Sequence, residues 1–176
     1  MRKTFTLSVT TTCILFCGLH SPTIAANFPG APVQGPGRKD SSMAKDQELF
    51  HYLLDYRSEV TRSVKKLEHG VETLTESKNP EVASKIKEHV ASMHQRVKEG
   101  RGIHMRDPLF AAIFRNTKSI TMTVEPTEKG VRVIETSTQP FVAKLIQAHA
   151  EVVSKFIERG HSEVQKNHPV PEKSEK

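Results

Sequence analysis

Residues 69 to 100 repeat, in worn form, at residues 129 to 160. A duplication constrains a chain more than its composition does, because the two copies fold alike and bury their apolar faces against each other. His69-Gly70-Val71-Glu72-Thr73-Leu74-Thr75-Glu76-Ser77 stands beside Lys129-Gly130-Val131-Arg132-Val133-Ile134-Glu135-Thr136-Ser137 at an ungapped offset of 60 residues. The same offset joins Pro80 to Pro140, Val82 to Val142, Ala83 to Ala143, Ile86 to Ile146, His89 to His149, Val97 to Ile157 and Gly100 to Gly160. Upstream it joins Phe50 to Phe110, Val60 to Ile120 and Val64 to Val124, whereas Lys85 meets Leu145, a mismatch.

Each unit carries the same local signals. A short helix is predicted over Asp46 to Ser58 and again over Leu109 to Lys118. Ile120, Met122 and Val124 then alternate with Thr121, Thr123 and Glu125, the period of a half-buried strand, and Val131 and Val133 alternate in the return strand after Gly130. Residues 60 to 76 taken alone have near-heptad spacing and would pass for helix; the repeat assigns them to a hairpin. A long helix closes each unit. Asn79 caps it, Pro80 occupies its first turn, Glu81 faces the positive end of the dipole and Gly100 ends it; Pro140 and Gly160 bracket the second copy. The expectation is an α+β fold: tandem helix–hairpin–helix repeats, about 46–100 and 106–160, with pseudo-two-fold symmetry and one four-stranded antiparallel sheet covered by helices.

The chain ahead of the repeats reads as an export leader. Met1-Arg2-Lys3 is positive, Phe5 to Leu19 is uncharged and largely apolar, and Ala25-Ala26 suits a signal peptidase, so residues 1–26 are a signal peptide. The apolar run is shorter than the roughly 20 residues a spanning helix needs, so no integral membrane segment is expected in the mature form. Localisation is therefore the periplasm or the extracellular space. Residues 27–43, with Pro29, Gly30, Pro32, Gly35, Pro36 and Gly37, make a linker; residues 44–168 make one domain; residues 169–176 make a Pro/Glu/Lys-rich disordered tail. Both cysteines, Cys13 and Cys17, leave with the leader, which excludes disulfides, thiolate catalysis and covalent c-type haem from the mature chain.

Losing Arg2 and Lys3 leaves 24 basic residues against 20 acidic ones, a net charge of +4. Basic and acidic residues interleave, as from Glu81 to Glu99, which marks a solvated helix face and not a nucleic-acid stripe. HExxH, Cys-x-x-Cys-His and Gly-rich phosphate loops are absent from the sequence. Ser77 and Ser137 precede helices and read as caps, and Asp107-Pro108 reads as a helix start, so no catalytic residues are assigned.

Histidine is the remaining signal. His89 falls in the apolar stripe Val82, Ile86, Met93, Val97, and His149 in the stripe Val142, Ile146, Val153, Phe156. Imidazole ligates copper, zinc and haem iron, and Met93, one turn from His89, adds a thioether; Met105 and Met122 are further candidates. The metal site is expected at His89, His149 and Met93, the cofactor being copper or non-covalent haem. Affinity should fall as pH drops through about 6.5 if these imidazoles are unperturbed. The competing reading makes both histidines structural, each hydrogen-bonded to backbone or a carboxylate, in a cell-envelope interaction or scaffolding module with a protein partner. His51, His69, His94, His104, His161 and His168 lack a repeat partner of their own kind.

The phrases Gly70-Val71…Thr75-Glu76-Ser77…Pro80-Glu81-Val82…His89-Val90, Asp107-Pro108-Leu109-Phe110 and Glu135-Thr136-Ser137…His149-Ala150…His168-Pro169-Val170-Pro171 resemble a set of uncharacterised exported bacterial and archaeal proteins. The likeness spans about residues 50 to 171 and implies no activity. The helix-strand-strand order is also distantly similar to the exported BON domain, but the glycine-flanked valine-leucine strand of that family is missing.

Overall fold

Alternation drives the strands and capping chemistry sets the helices. The computed structural model describes residues 41–173. The leader, residues 27–40 of the linker and residues 174–176 of the tail lie outside the described residues. Helix α1 spans Ser41–Asp55, followed by a 3-10 turn at Arg57–Glu59; strands β1 (Val60–Leu67) and β2 (Gly70–Ser77) form a hairpin; helix α2 spans Pro80–Glu99. The second copy runs α3 (Pro108–Arg115), a 3-10 turn at Thr117–Ser119, β3 (Thr121–Pro126), β4 (Gly130–Thr136) and α4 (Pro140–Arg159), with a one-turn helix α5 at His161–Val164. The helix-or-hairpin ambiguity of residues 60 to 76 is resolved as hairpin, as the repeat requires. Residues 41–43, read from sequence as linker, are instead the first turn of α1, and the short helices end earlier than expected, their last residues tightening into 3-10 turns.

The four strands form one antiparallel sheet in the order β1-β2-β4-β3. The inner pair is self-complementary: Thr73 lies opposite Val133, and Gly70 and Glu76 lie opposite Thr136 and Gly130. Since Thr73 and Val133 are repeat mates, the pseudo-two-fold axis passes between them. A Cβ on Gly70 would sit 1.9 Å from the carbonyl oxygen of Glu135, and one on Gly130 would sit 2.0 Å from that of Thr75. No side chain fits either place, which explains why the repeat keeps both glycines.

The long helices cross over to the other repeat. Val71 of β2 packs with Val142, Ile146 and Ala150 of α4, whereas Val131 and Val133 of β4 pack with Val82 and Ile86 of α2. A third cluster joins Leu54 of α1 to Leu109, Phe110 and Ile113 of α3 and to Leu145, Val152 and Phe156 of α4. Neither repeat closes its own core, so the two make one folding unit. The opposite face of the sheet carries Thr61, Ser63, Lys65, Thr121, Thr123 and Glu125, all exposed, as expected of an antiparallel sheet wetted on one side.

Caps follow the duplication only in part. Ser77 Oγ accepts from the Asn79 N–H and Ser137 Oγ from the Gln139 N–H, both at 3.1 Å. These serines are buried turn formers, as their position before a helix indicated. Asn79 Oδ1 accepts from the Glu81 N–H at 3.0 Å, whereas Gln139 makes no such cap.

Candidate functional site

His89 lies at mid-length of α2 and His149 at mid-length of α4, both on faces turned toward the helical interior. His89 stacks on Phe50 of α1, ring centroids 5.9 Å apart, and His149 meets Phe110 of α3 edge-on at 5.1 Å. Phe50 and Phe110 are themselves repeat mates, so the phenylalanine–histidine pair is duplicated as a unit. Phe156 links the two, 5.7 Å from Phe50 and 5.9 Å from Phe110. The ring contacts of each histidine are thus to phenylalanine, and the two imidazoles do not stack on one another.

Among the described residues neither imidazole has a hydrogen-bond partner, and His89 Nδ1 is closed off from solvent as well. A structural histidine in a core normally bonds backbone or a carboxylate, and an orphaned buried nitrogen calls for a reason. Burial pushes His89 down to about 4, against the opposing pull of the Asp46 carboxylate. Burial, and then the charge of Arg62, push His149 to about 4, against Asp107. Both rings are therefore neutral at physiological pH and keep a lone pair available. Met93 is half-buried on α2. Met122 lines a groove of about 420 Å³ beside the C-terminal end of α2, with His94, Val97, Lys98 and Thr117, while Met105 is exposed. Among the described residues no three His, Cys, Asp or Glu side chains converge on a metal-sized point.

Two charged residues missed in the sequence lie half-buried on the helix-facing side of the sheet. Arg62 falls in the same two-residue register as Val60 and Val64 on β1, and Glu135 as Val131 and Val133 on β4, so the strand period alone points both toward the helices. That was the available signal: a charge in a core-facing register. Arg62 donates from Nη1 to Thr75 Oγ1 at 2.7 Å, and its Nε is buried without a partner. Burial pulls Arg62 down to about 10, opposed by Glu135, and burial raises the Glu135 carboxyl, opposed by Arg62.

The other histidines have separate roles. His168, in the segment after α5, is buried between two acids: Nδ1 is 2.6 Å from Asp107 Oδ2 and Nε2 is 3.3 Å from Glu163 Oε1. Asp107 caps α3 through the N–H groups of Leu109 and Phe110, so this clamp ties the C-terminal segment to a helix start. Contacts from Lys166, His168 and Arg159, led by Lys166, hold the Glu163 carboxyl down to about 2 against its burial. His51 stacks on His161 at 5.4 Å, and His161 Nε2 is 2.9 Å from Asp55 Oδ1, all on the surface.

Compared with family models, curated proteins and solved structures, the chain matches none. Among the described residues no helix is long and apolar enough to cross a membrane.

Proposed function

We propose that this chain is an exported, non-enzymatic binding protein that takes a copper-like metal ion or non-covalent haem through His89 and His149, with Met93 as a third donor. The carrying observation is a duplicated pair of neutral imidazoles, each packed on a phenylalanine and lacking any hydrogen bond of its own. Neutral imidazole is the ligating form, and the phenylalanines beside it suit a planar apolar group. The low proton affinity shifts the expected acid limit of binding from about 6.5, the value of an unperturbed imidazole, to about 4.

The test is titration of tag-free mature protein with Cu(I), Cu(II) and iron protoporphyrin IX, followed by absorption spectroscopy and metal analysis. Stoichiometric binding is expected in the wild type and in His161→Ala, and its loss in His89→Ala and in His149→Ala. Binding unchanged in both single variants would sink the reading.

The second reading, a cell-envelope interaction module, is favoured by the uncovered sheet face. There the repeat mates Leu74 and Ile134 are half-buried among polar residues. Lysine at both positions should abolish partner capture under that reading and leave ligand titrations untouched.

A further inference from the structure

The two long helices end alike and differ in what lies against their ends. Gly100 closes α2 and Gly160 closes α4, both at positive φ, 67° and 65°. The side chain of Arg57 lies against Gly160, where a Cβ would meet its Nε at 3.0 Å and its Cζ at 3.1 Å. Arg57 also donates from Nη1 to the Leu54 carbonyl oxygen at 3.2 Å. The repeat mate of Arg57 is Thr117. A Cβ on Gly100 would meet nothing nearer than the Thr117 hydroxyl oxygen, at 3.7 Å. A long side chain thus packs the end of α4, whereas its short counterpart at the end of α2 lines the groove of about 420 Å³.

Val97, Ile120 and Met122, all half-buried, give this groove its apolar surface. Glu99 is its one acid, and that carboxylate already accepts from Gln95 and from Arg101. Lys98, Lys118 and His94 also line it, and among the described residues none of the three has a hydrogen bond or an ion pair. The fold does not call for these cations, since their repeat mates are Glu158, Ser58 and Ser154. Clefts of roughly 300–1,000 Å³ hold small organic molecules. Two unmatched ammonium groups over an apolar surface favour a molecule with an anionic head and an apolar body, and they repel a cation. Met122 and His94 would otherwise offer donors to a soft metal.

We infer that the groove between the end of α2 and the edge strand β3 is a second binding site, taking a small organic carboxylate. Lys98 and Lys118 meet the carboxylate, and Val97, Ile120 and Met122 cover the apolar chain. The site stands apart from His89 and His149 and does not rest on their reading as ligands.

The experiment titrates octanoate into tag-free mature protein and follows the methyl signals by NMR. Octanol, octylamine, inorganic phosphate and Cu(I) serve as comparison probes. Octanoate should shift the methyls of Val97, Ile120 and Met122 with one-to-one stoichiometry, and its affinity should fall as salt screens the lysines. Octanol lacks the charge and phosphate lacks the chain, so each should bind at least about tenfold more weakly, and octylamine should not bind. Lys98→Glu combined with Lys118→Ser copies the other helix end and should weaken octanoate by about tenfold or more. Thr117→Arg copies Arg57, should close the groove and should abolish octanoate binding; the same spectra show that both variants stay folded. Octanol binding as tightly as octanoate, or unchanged affinity in the lysine variant, overturns the carboxylate. Shifts that spare these three methyls, or that survive Thr117→Arg, overturn the groove as the site. Cu(I) shifting Met122 where octanoate does not makes it a soft-metal site and overturns the inference. Shifts of the same methyls with protein concentration alone assign the groove to a second copy of the chain and overturn it too. Each of these outcomes leaves the reading of His89 and His149 untouched.

Discussion

The two repeats fasten their short helix to their long helix by opposite chemistry. In the first, Arg96 of α2 and Asp46 of α1 form a buried ion pair, with Arg96 Nε 2.5 Å from Asp46 Oδ2 and Ser92 donating to the other carboxylate oxygen. In the second, the position of Arg96 is taken by Phe156, stacked on Phe110 of α3 and buried in an aromatic cluster. Duplication preserved the backbone and its close approaches, and left the interior free to be charged on one side and apolar on the other.

The largest effects should come from breaking each fastening. Asp46→Ala removes the carboxylate that buried Arg96 pairs with, and a loss of about 3–5 kcal/mol is expected from urea unfolding. Phe156→Ala should cost a similar amount, about 3–5 kcal/mol, through a cavity. The double change Asp46→Leu, Arg96→Met should recover most of the first loss, because an apolar pair replaces a desolvated one. Failure to recover would mean that the first repeat needs its charge for more than packing.

Next come the glycines, where the halves should behave alike. Gly70→Ala and Gly130→Ala each drive a Cβ into a cross-strand carbonyl, at 1.9 and 2.0 Å. Losses of about 3 kcal/mol are expected at both, as for severe overpacking. Unequal thermal shifts would show that the pseudo-symmetry is only approximate at the central pair.

Acid sensitivity ranks third. Both imidazoles have folded pKa values of about 4, below the ordinary 6.5, so the unfolded chain takes up more protons between those values. Their contribution to stability is complete above pH 6.5 and is lost as pH falls toward 4, at about 1–3 kcal/mol each. Glu135 works in the opposite sense, since its raised carboxyl favours folding as it takes up a proton. His89→Leu with His149→Leu should therefore flatten the decline between pH 6.5 and 4, read by chemical unfolding at fixed pH. A decline of undiminished slope would place the acid sensitivity elsewhere.

The smallest effect separates the caps. Asn79→Ala should cost about 1 kcal/mol, whereas Gln139→Ala should cost almost nothing, because only Asn79 bonds the first turn of its helix. Equal losses would contradict the asymmetry of the two helix starts.

Most of the fold was legible because its signals are local or periodic. Alternation at Ile120, Met122 and Val124, proline and glycine at the helix ends, and the 60-residue offset carry the element order and the sheet. The crossing of α2 and α4 onto the other repeat was not legible, since Val82 and Val142 look the same whichever strand they cover. The site was legible by half. Helical spacing placed His89 and His149 inside, but the missing hydrogen bonds depend on what every neighbour does. Arg62 and Glu135 were within reach of the strand period, but their repeat mates are Met122 and Thr75, so the duplication does not mark them. His168 escaped because its partners, Asp107 and Glu163, come from separate segments.

The self-complementary pairing of β2 with β4 makes the molecule a tethered dimer. An association of two separate identical chains is isologous and must present every interior residue twice. It would bury two copies of Arg62 with no Glu135, or two copies of Glu135 with no Arg62. Joining the halves through residues 100–107 turns a concentration-dependent encounter into an intramolecular one. It also releases each side from copying the other, so a single guanidinium can stand on one side of the axis only. A handed interior is then available to a scaffold that began with two equal ends.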